Sequence, residues 1–194
     1  MSDQISPPPA PGEDTSTALA LVNTELEPRG QPLDLLPDSR AFATWLRAQG
    51  LPSSRPGSVS DHDLDQMREL RTAIRAAFTA RAASRQPARA AIAVINQAAA
   101  LVASTPRLRW TDDGPGYITV WDREAAPAEV ALAEIAANAI STLQGDRGDR
   151  LRLCEAHACN RMFIADHRQR RWCSKTCGDR VRVARHYAKL NTSS

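Results

Sequence analysis

A mainly α-helical body with one β-hairpin, followed by a small four-cysteine module of hairpin plus C-terminal helix, is the architecture this sequence predicts. Three observations predict it. Hydrophobic residues make up 42% of the 194 positions, but aromatics only 5%, and alanine is abundant, a composition suited to helices rather than a β-sandwich. Several segments repeat apolar residues at helical spacing, whereas RLRW-TDDGPG-YITVW changes to period two around a turn. All four cysteines crowd into residues 154–177, in a basic, apolar-poor stretch. The length suits one medium domain with a small appendage.

Residues 1–17, rich in Pro, Ser and acids, are expected to form a disordered tail. ALALVNT (18–24) is the first apolar segment, read as a short strand or helix start, with Asn23 ahead of a Pro/Gly-rich loop. The first full helix should be N-capped by Ser39, bury Phe42, Trp45 and Leu46, and end at Gly50. The next starts at a Ser60/Asp63 capping-box variant and carries the stripe Leu64, Met67, Leu70, Ile74, Ala77 and Phe78. Pro87 can open a third helix facing inward through Ala91, Val94, Ile95, Ala98, Leu101 and Val102. After the hairpin, Pro127 opens a fourth that runs to about Gly145, and GDRGDR reads as a polar linker. The expected division is a tail over 1–17, a helical effector or dimerisation body over 18–146, and a finger over 150–190.

No apolar run approaches the ~20 residues that span a bilayer. The N-terminus lacks the basic and apolar regions of a secretory signal. A cytoplasmic protein without a membrane partner is therefore expected, in a compartment that disfavours structural disulfides.

The cysteine spacing is Cys154-x4-Cys159, a 13-residue insert, then Cys173-x3-Cys177. Two close pairs across a short insert suit one tetrahedral four-thiolate zinc ion. The order of knuckle, hairpin and cysteine pair at a helix start is treble-clef-like, and so small a segment needs the metal to fold. His157 and His167 stand close enough in sequence to replace a thiolate, although both read more simply as exposed polar residues. Four thiolates close the coordination shell, so the zinc is expected to be structural. No H-E-x-x-H, P-loop or G-x-S-x-G occurs, and no enzyme is expected.

The net charge of +3 hides an asymmetry: from Arg150 onward eleven basic residues face three acidic ones, so that segment carries +8 and the remainder −5. A basic module on an acidic body points to an anionic partner, here double-stranded DNA. Arg182, Arg185, His186 and Lys189 cluster on one arc of the last helix, opposite Val181, Val183, Ala184, Tyr187 and Ala188. Arg161, Arg168, Arg170 and Arg171 add charge from the hairpin. These eight residues are the expected DNA contacts. Arg180 falls in the apolar arc and reads as structural, paired with Asp166 or Asp179.

C-x4-C-N-R-x-F, followed by R-R-W-C-S-x-x-C-G-D-R and A-R-H-Y, resembles the CGNR zinc-finger family. ALALVNT, RGQPLDLL, Trp45-Leu46, Leu70-Arg71 and Ile95-Asn96 resemble the ABATE domain that accompanies that finger. The resemblance implies a bacterial transcription regulator, described as stress-induced, with a sensory role for its N-terminal part. Here the signature is Cys177-Gly178-Asp179-Arg180, with Asp for Asn, which suits Asp179 to ordering the helix start or Arg180 rather than meeting a phosphate.

The leading expectation is thus a zinc-dependent DNA-binding transcription regulator. The competing readings are a protein-interaction adaptor and a thiol or zinc redox sensor acting through the same finger. A homodimer reading two half-sites is compatible with so small a finger, although no stripe in the sequence specifies it. For a small-molecule effector, the residues to test are Asn23, Arg29 and Trp45, polar groups beside an apolar helix face. Taken singly, Asn23 reads as satisfying backbone groups and Trp45 as core.

Overall fold

The computed structural model describes residues 7–52, 59–112, 114–121 and 125–192. Helix α1 (Thr17–Val22) resolves the strand-or-helix ambiguity of the first apolar segment in favour of helix: Ser16 caps it by accepting from the Leu19 N–H at 3.2 Å. Ala18 to Val22 are all buried, as an all-apolar helix must be. Strands β1 (Glu25–Leu26) and β2 (Leu33–Asp34) pair antiparallel around a 3-10 turn at Pro28–Gly30.

Helix α2 (Ser39–Ala48) is capped by Asp38, not Ser39, because the Asp38 carboxylate accepts from the Ala41 N–H at 2.7 Å. Helix α3 (Asp61–Ala82) carries the expected capping box, with Ser60 and Asp63 each bonding the other's backbone. Helix α4 (Arg89–Ala99) starts two residues beyond Pro87. Strands β3 (Ser104–Thr111) and β4 (Gly114–Trp121) form the predicted hairpin, paired from Ser104–Trp121 to Thr111–Gly114. All of β3 is exposed, including Leu108 and Trp110. Helix α5 (Pro127–Leu143) follows, and the expected linker is instead a short helix, α6 (Gly145–Asp149). Strands β5 (Leu151–Leu153) and β6 (Met162–Ile164) pair antiparallel, and helix α7 (Lys175–Thr192) ends the described chain.

The core sits where α1 is enclosed by α3 and α5, with α4 laid against both. It does not stop at the expected domain boundary. Leu151, Met162 and Ile164 belong to the same buried cluster as Leu19, Phe42 and Phe78. The alternation of a β-strand explains this: Met162 and Ile164 point to one face, into the body, and Phe163 to the other. Phe163 joins Cys154, Ala156, Ala165, Cys173 and Cys177 in a second, smaller cluster.

The disordered tail is also corrected. Residues 1–6 lie outside the described residues, but 7–16 form a strap across the finger. Ala10 is buried in the cysteine cluster, and the Pro11 carbonyl accepts from the Ile164 N–H at 2.8 Å. Gly12 crosses Ile164 so closely, at φ +92°, that a Cβ there would lie 2.8 Å from the Ile164 side chain.

Candidate metal centre and its attachment to the body

Each cysteine is placed by its local element. Cys154 follows β5, and its N–H donates to the Arg161 carbonyl at 2.9 Å, closing the knuckle. Ala158 turns that knuckle at φ +54°, which delivers Cys159 back toward Cys154. Cys173 precedes α7, and Cys177 lies in its first turn, where the Ser174 hydroxyl accepts from the Cys177 N–H at 3.2 Å. Gly178 allows Trp172 to lie against that turn, since a Cβ would come within 3.1 Å of the indole.

The four Sγ atoms lie within 4.8 Å of one another. Three separations are tighter: Cys159–Cys173 at 3.8 Å, Cys173–Cys177 at 3.7 Å and Cys177–Cys159 at 3.8 Å. A tetrahedron with Zn–S bonds of ~2.3 Å has edges of about 3.8 Å, so these sulfurs already stand at zinc-ligand spacing. Hydrogen bonds from neighbouring thiols hold Cys154 as a thiolate, its pKa lowered to about 2. Hydrogen bonding to Cys154 raises Cys159 to about 11 and pushes Cys173 upward too. A divalent cation would replace these thiol–thiol hydrogen bonds with one central charge. The Cys173 N–H, 3.4 Å from Cys154 Sγ, adds a backbone donor to the anionic cluster. The residues fit one structural zinc. His157 and His167 are exposed and outside the cluster.

Around the cysteines the basic residues divide into two groups. Arg161, expected on DNA, is only 7% exposed, and its Nη2 pairs with Glu13 at 2.8 Å; it is an internal residue. Arg170 stacks on Phe163 and is held by Asp166 at 2.8 Å and by the Trp172 carbonyl, so it too braces the finger. Arg180 donates to the His157 carbonyl at 2.8 Å, tying α7 to the knuckle; its partner is neither Asp166 nor Asp179. Asp179 pairs with Arg182 instead. Arg168, Arg171, Arg182, Arg185 and His186 are exposed, and the Lys189 side chain lies outside the described residues. Arg171 pairs at the surface with Glu155 at 2.5 Å. A cleft of about 320 Å³ runs between the hairpin turn and α7, walled by His167, Arg171, Trp172, Lys175 and Arg182.

The finger is fastened to the body by a buried polar network. Asn23, 5% exposed, donates to the Met162 carbonyl at 2.8 Å and accepts from the Met162 N–H at 2.9 Å, pairing with β6 as a strand would. Its amide also donates to Glu13 at 2.5 Å, on the oxygen that holds Arg161. Asn160 accepts from the Glu27 N–H at 3.0 Å and donates to the Glu25 carbonyl at 3.2 Å. Arg75 reaches from α3 to the carbonyls of Asn160, Val22 and Glu25. Burial lowers the Arg75 pKa. One turn earlier on α3, Arg71 makes a bidentate pair with Asp34, both bonds at 2.7 Å.

Of the residues expected to form an effector pocket, Asn23 is thus engaged with the finger's backbone. Trp45 stacks on Phe42 at 6.5 Å and lines a separate surface depression with Leu35 and Arg40. The Arg29 side chain lies outside the described residues. Asn23 and Trp45 do not share a site. Sequence reasoning missed Glu13, Arg75 and Asn160. For Arg75 a signal existed: Arg71 and Arg75 stand at i, i+4 beside an apolar stripe, where two unpaired cations would be untenable.

No helix among the described residues is long and apolar enough to cross a membrane. The ABATE family model, described as "Putative stress-induced transcription regulator", matches residues 15–146, and the CGNR zinc-finger model matches residues 150–189. Among curated proteins none matches.

Proposed function

Because the chain belongs to the ABATE family and ends in a CGNR zinc finger, we propose that it is a zinc-dependent DNA-binding transcription regulator. The finger meets duplex DNA through Arg168, Arg171, Arg182, Arg185, His186 and Lys189, and the helical body senses the signal. The observation that carries this reading is the sorting of the finger's cations. Arg161, Arg170 and Arg180 brace the fold, while Arg168, Arg171, Arg182, Arg185 and His186 are exposed around the cationic cleft and along α7. A tetrathiolate zinc centre removes two charges from +8, so the finger still carries about +6 toward phosphates.

The test is fluorescence anisotropy of the zinc-loaded chain on duplex from upstream of its own gene, beside a shuffled duplex, at several salt concentrations. Tighter binding to the native duplex at physiological salt supports a sequence-specific regulator. No binding at any salt refutes the proposal. A second reading, the finger as a protein-interaction module, draws on the exposed Val183, Tyr187 and Leu190 of α7. It predicts a partner whose affinity is insensitive to salt, whereas phosphate binding falls steeply.

A further inference from the structure

We infer that two copies of this chain pair through β3, β4 and α4, the hairpin of each protomer lying across the outer face of α4 in its partner. Strand alternation sets Pro106, Leu108 and Trp110 on one face of the hairpin, opposite Thr119 and Pro115. Leu108 is 76% exposed and Trp110 73%. Arg107 and Arg109 take the other face, where they stay in water. A two-stranded hairpin is marginal in water by itself, and packing against a helix is one of the ways such a ribbon gains stability.

Helix α4 offers the complementary surface. Its inner side, Ala91 and Ile95, is buried, while Ile92, Ala93, Asn96 and Ala100 beside it are exposed. From Ala90 to Pro106 the sequence holds no charged residue. The outer face of a surface helix ordinarily carries charges, and their depletion marks the centre of an interface. A face without cations has nothing to attract phosphates, so nucleic acid is the wrong occupant. Helix on sheet is a standard pairing of layers. One chain thus carries both halves of the contact, and a two-fold axis brings each half onto the other at once.

Area decides between a single contact and a reciprocal one. The exposed three quarters of Trp110 and Leu108 amount together to on the order of 300 Å². With an equal area of the helix it covers, a one-sided contact hides roughly 600 Å², which is the range of casual packing. The reciprocal contact doubles this to roughly 1,200 Å², where specific interfaces begin. Charge agrees with the same arrangement. Arg89 opens α4 and Asp112 follows β3 at the hairpin turn, both exposed, and the link from α4 to β3 lies between them. Laying the two arms antiparallel brings each Asp112 toward the partner's Arg89. None of this depends on whether the finger reads DNA, which the anisotropy titration tests separately.

The experiment is sedimentation equilibrium of the zinc-loaded full chain over a concentration series up to about 100 µM, which populates a dimer of micromolar Kd. The parent should reach twice the 21.1 kDa of one chain. Trp110→Ser and, separately, Ile92→Asp should each raise the dissociation constant about thirtyfold or more, as loss of an interface anchor does. Both side chains are exposed in the single chain, so far-UV circular dichroism and zinc content should stay parental. Arg89→Asp and Asp112→Arg should each weaken pairing, and the double variant should recover it. A parent that stays monomeric across the series overturns the inference. So does a dimer that Trp110→Ser leaves unchanged, or one that tolerates Ile92→Asp, since the copies would then be pairing through other faces. A double variant no tighter than the single ones overturns the antiparallel placement.

Discussion

Replacing Asn23 with alanine removes the side chain that pairs with both backbone groups of Met162 and leaves those groups buried. The Met162 N–H loses its acceptor and the Met162 carbonyl one donor, in a strand whose other faces are packed. Each buried group left unsatisfied costs about 1–3 kcal/mol. The carbonyl has a second lone pair and β6 can relax slightly, so about 2–4 kcal/mol in total is the expected loss. In a chain of this size that lowers Tm by roughly 4–16 °C. Asn23→Asp should be worse at neutral pH, because it sets a carboxylate against the Met162 carbonyl and the Glu13 carboxylate. Protonation on acidification should recover part of the difference between the two variants. Differential scanning calorimetry at pH 7 and pH 5 measures both effects, and a chelator competition measures zinc release. If Asn23→Ala unfolds within about 0.5 kcal/mol of the parent and releases zinc at the parental rate, Asn23 does not fasten the finger and the reasoning fails.

Four further outcomes follow from the same contacts. Cys173→Ser should abolish stoichiometric zinc binding and also lower the melting temperature of the body, because Leu151, Met162 and Ile164 lie in its core; an unchanged body transition would contradict the shared cluster. Gly12→Ala should cost about 1–3 kcal/mol through the strained φ and the clash with Ile164, read as a denaturation midpoint shift at constant m. Asp34 is held below the ordinary carboxylate range: burial alone would raise it, but the hydrogen bonds from Arg71 and the Leu36 N–H, with the Arg71 charge, more than offset that. A depressed folded pKa stabilises above the unfolded value and is lost as pH falls through the folded one, so Asp34→Asn should destabilise at pH 7 and approach the parent as acidification protonates Asp34 in the folded state; a gap that stays constant with pH would count against the ion pair. Arg185→Ala should weaken duplex binding equally across sequences and lower the salt slope by about one, as measured by anisotropy.

The zinc ligands were legible in the sequence because coordination demands both residue type and spacing, and Cys154, Cys159, Cys173 and Cys177 supply both. The long helices were legible too, through Ser60, Pro127 and the stripes they introduce. Arg161 was misread for a physical reason: from charge alone, a buried arginine cannot be told from an exposed one, and its partner Glu13 lies 148 positions away in a Pro-rich stretch with no periodicity. The same holds for the strap, since Ala10 and Gly12 fold onto β6 by shape and one backbone hydrogen bond rather than by pattern. Asp38 was overlooked as a cap because Ser39 beside it is equally competent. The boundary near residue 146 follows the change in charge, but apolar packing ignores it, since Met162 and Ile164 sit in a basic segment yet serve the acidic body.

The two-sided strand β6 has a consequence for how this finger can be handled as a unit. Its odd residue, Phe163, belongs to the metal cluster, and its even residues, Met162 and Ile164, belong to the helices. Inserting or deleting one residue between Cys159 and Met162 would exchange those loyalties along the whole strand. A finger cut away at Arg150 and transplanted would carry a bare apolar stripe of Leu151, Met162 and Ile164, a natural seed for aggregation. The module is therefore not a cassette. A working chimera would have to carry Asn23, Glu13 and the strap along with the four cysteines, or replace the stripe with polar residues.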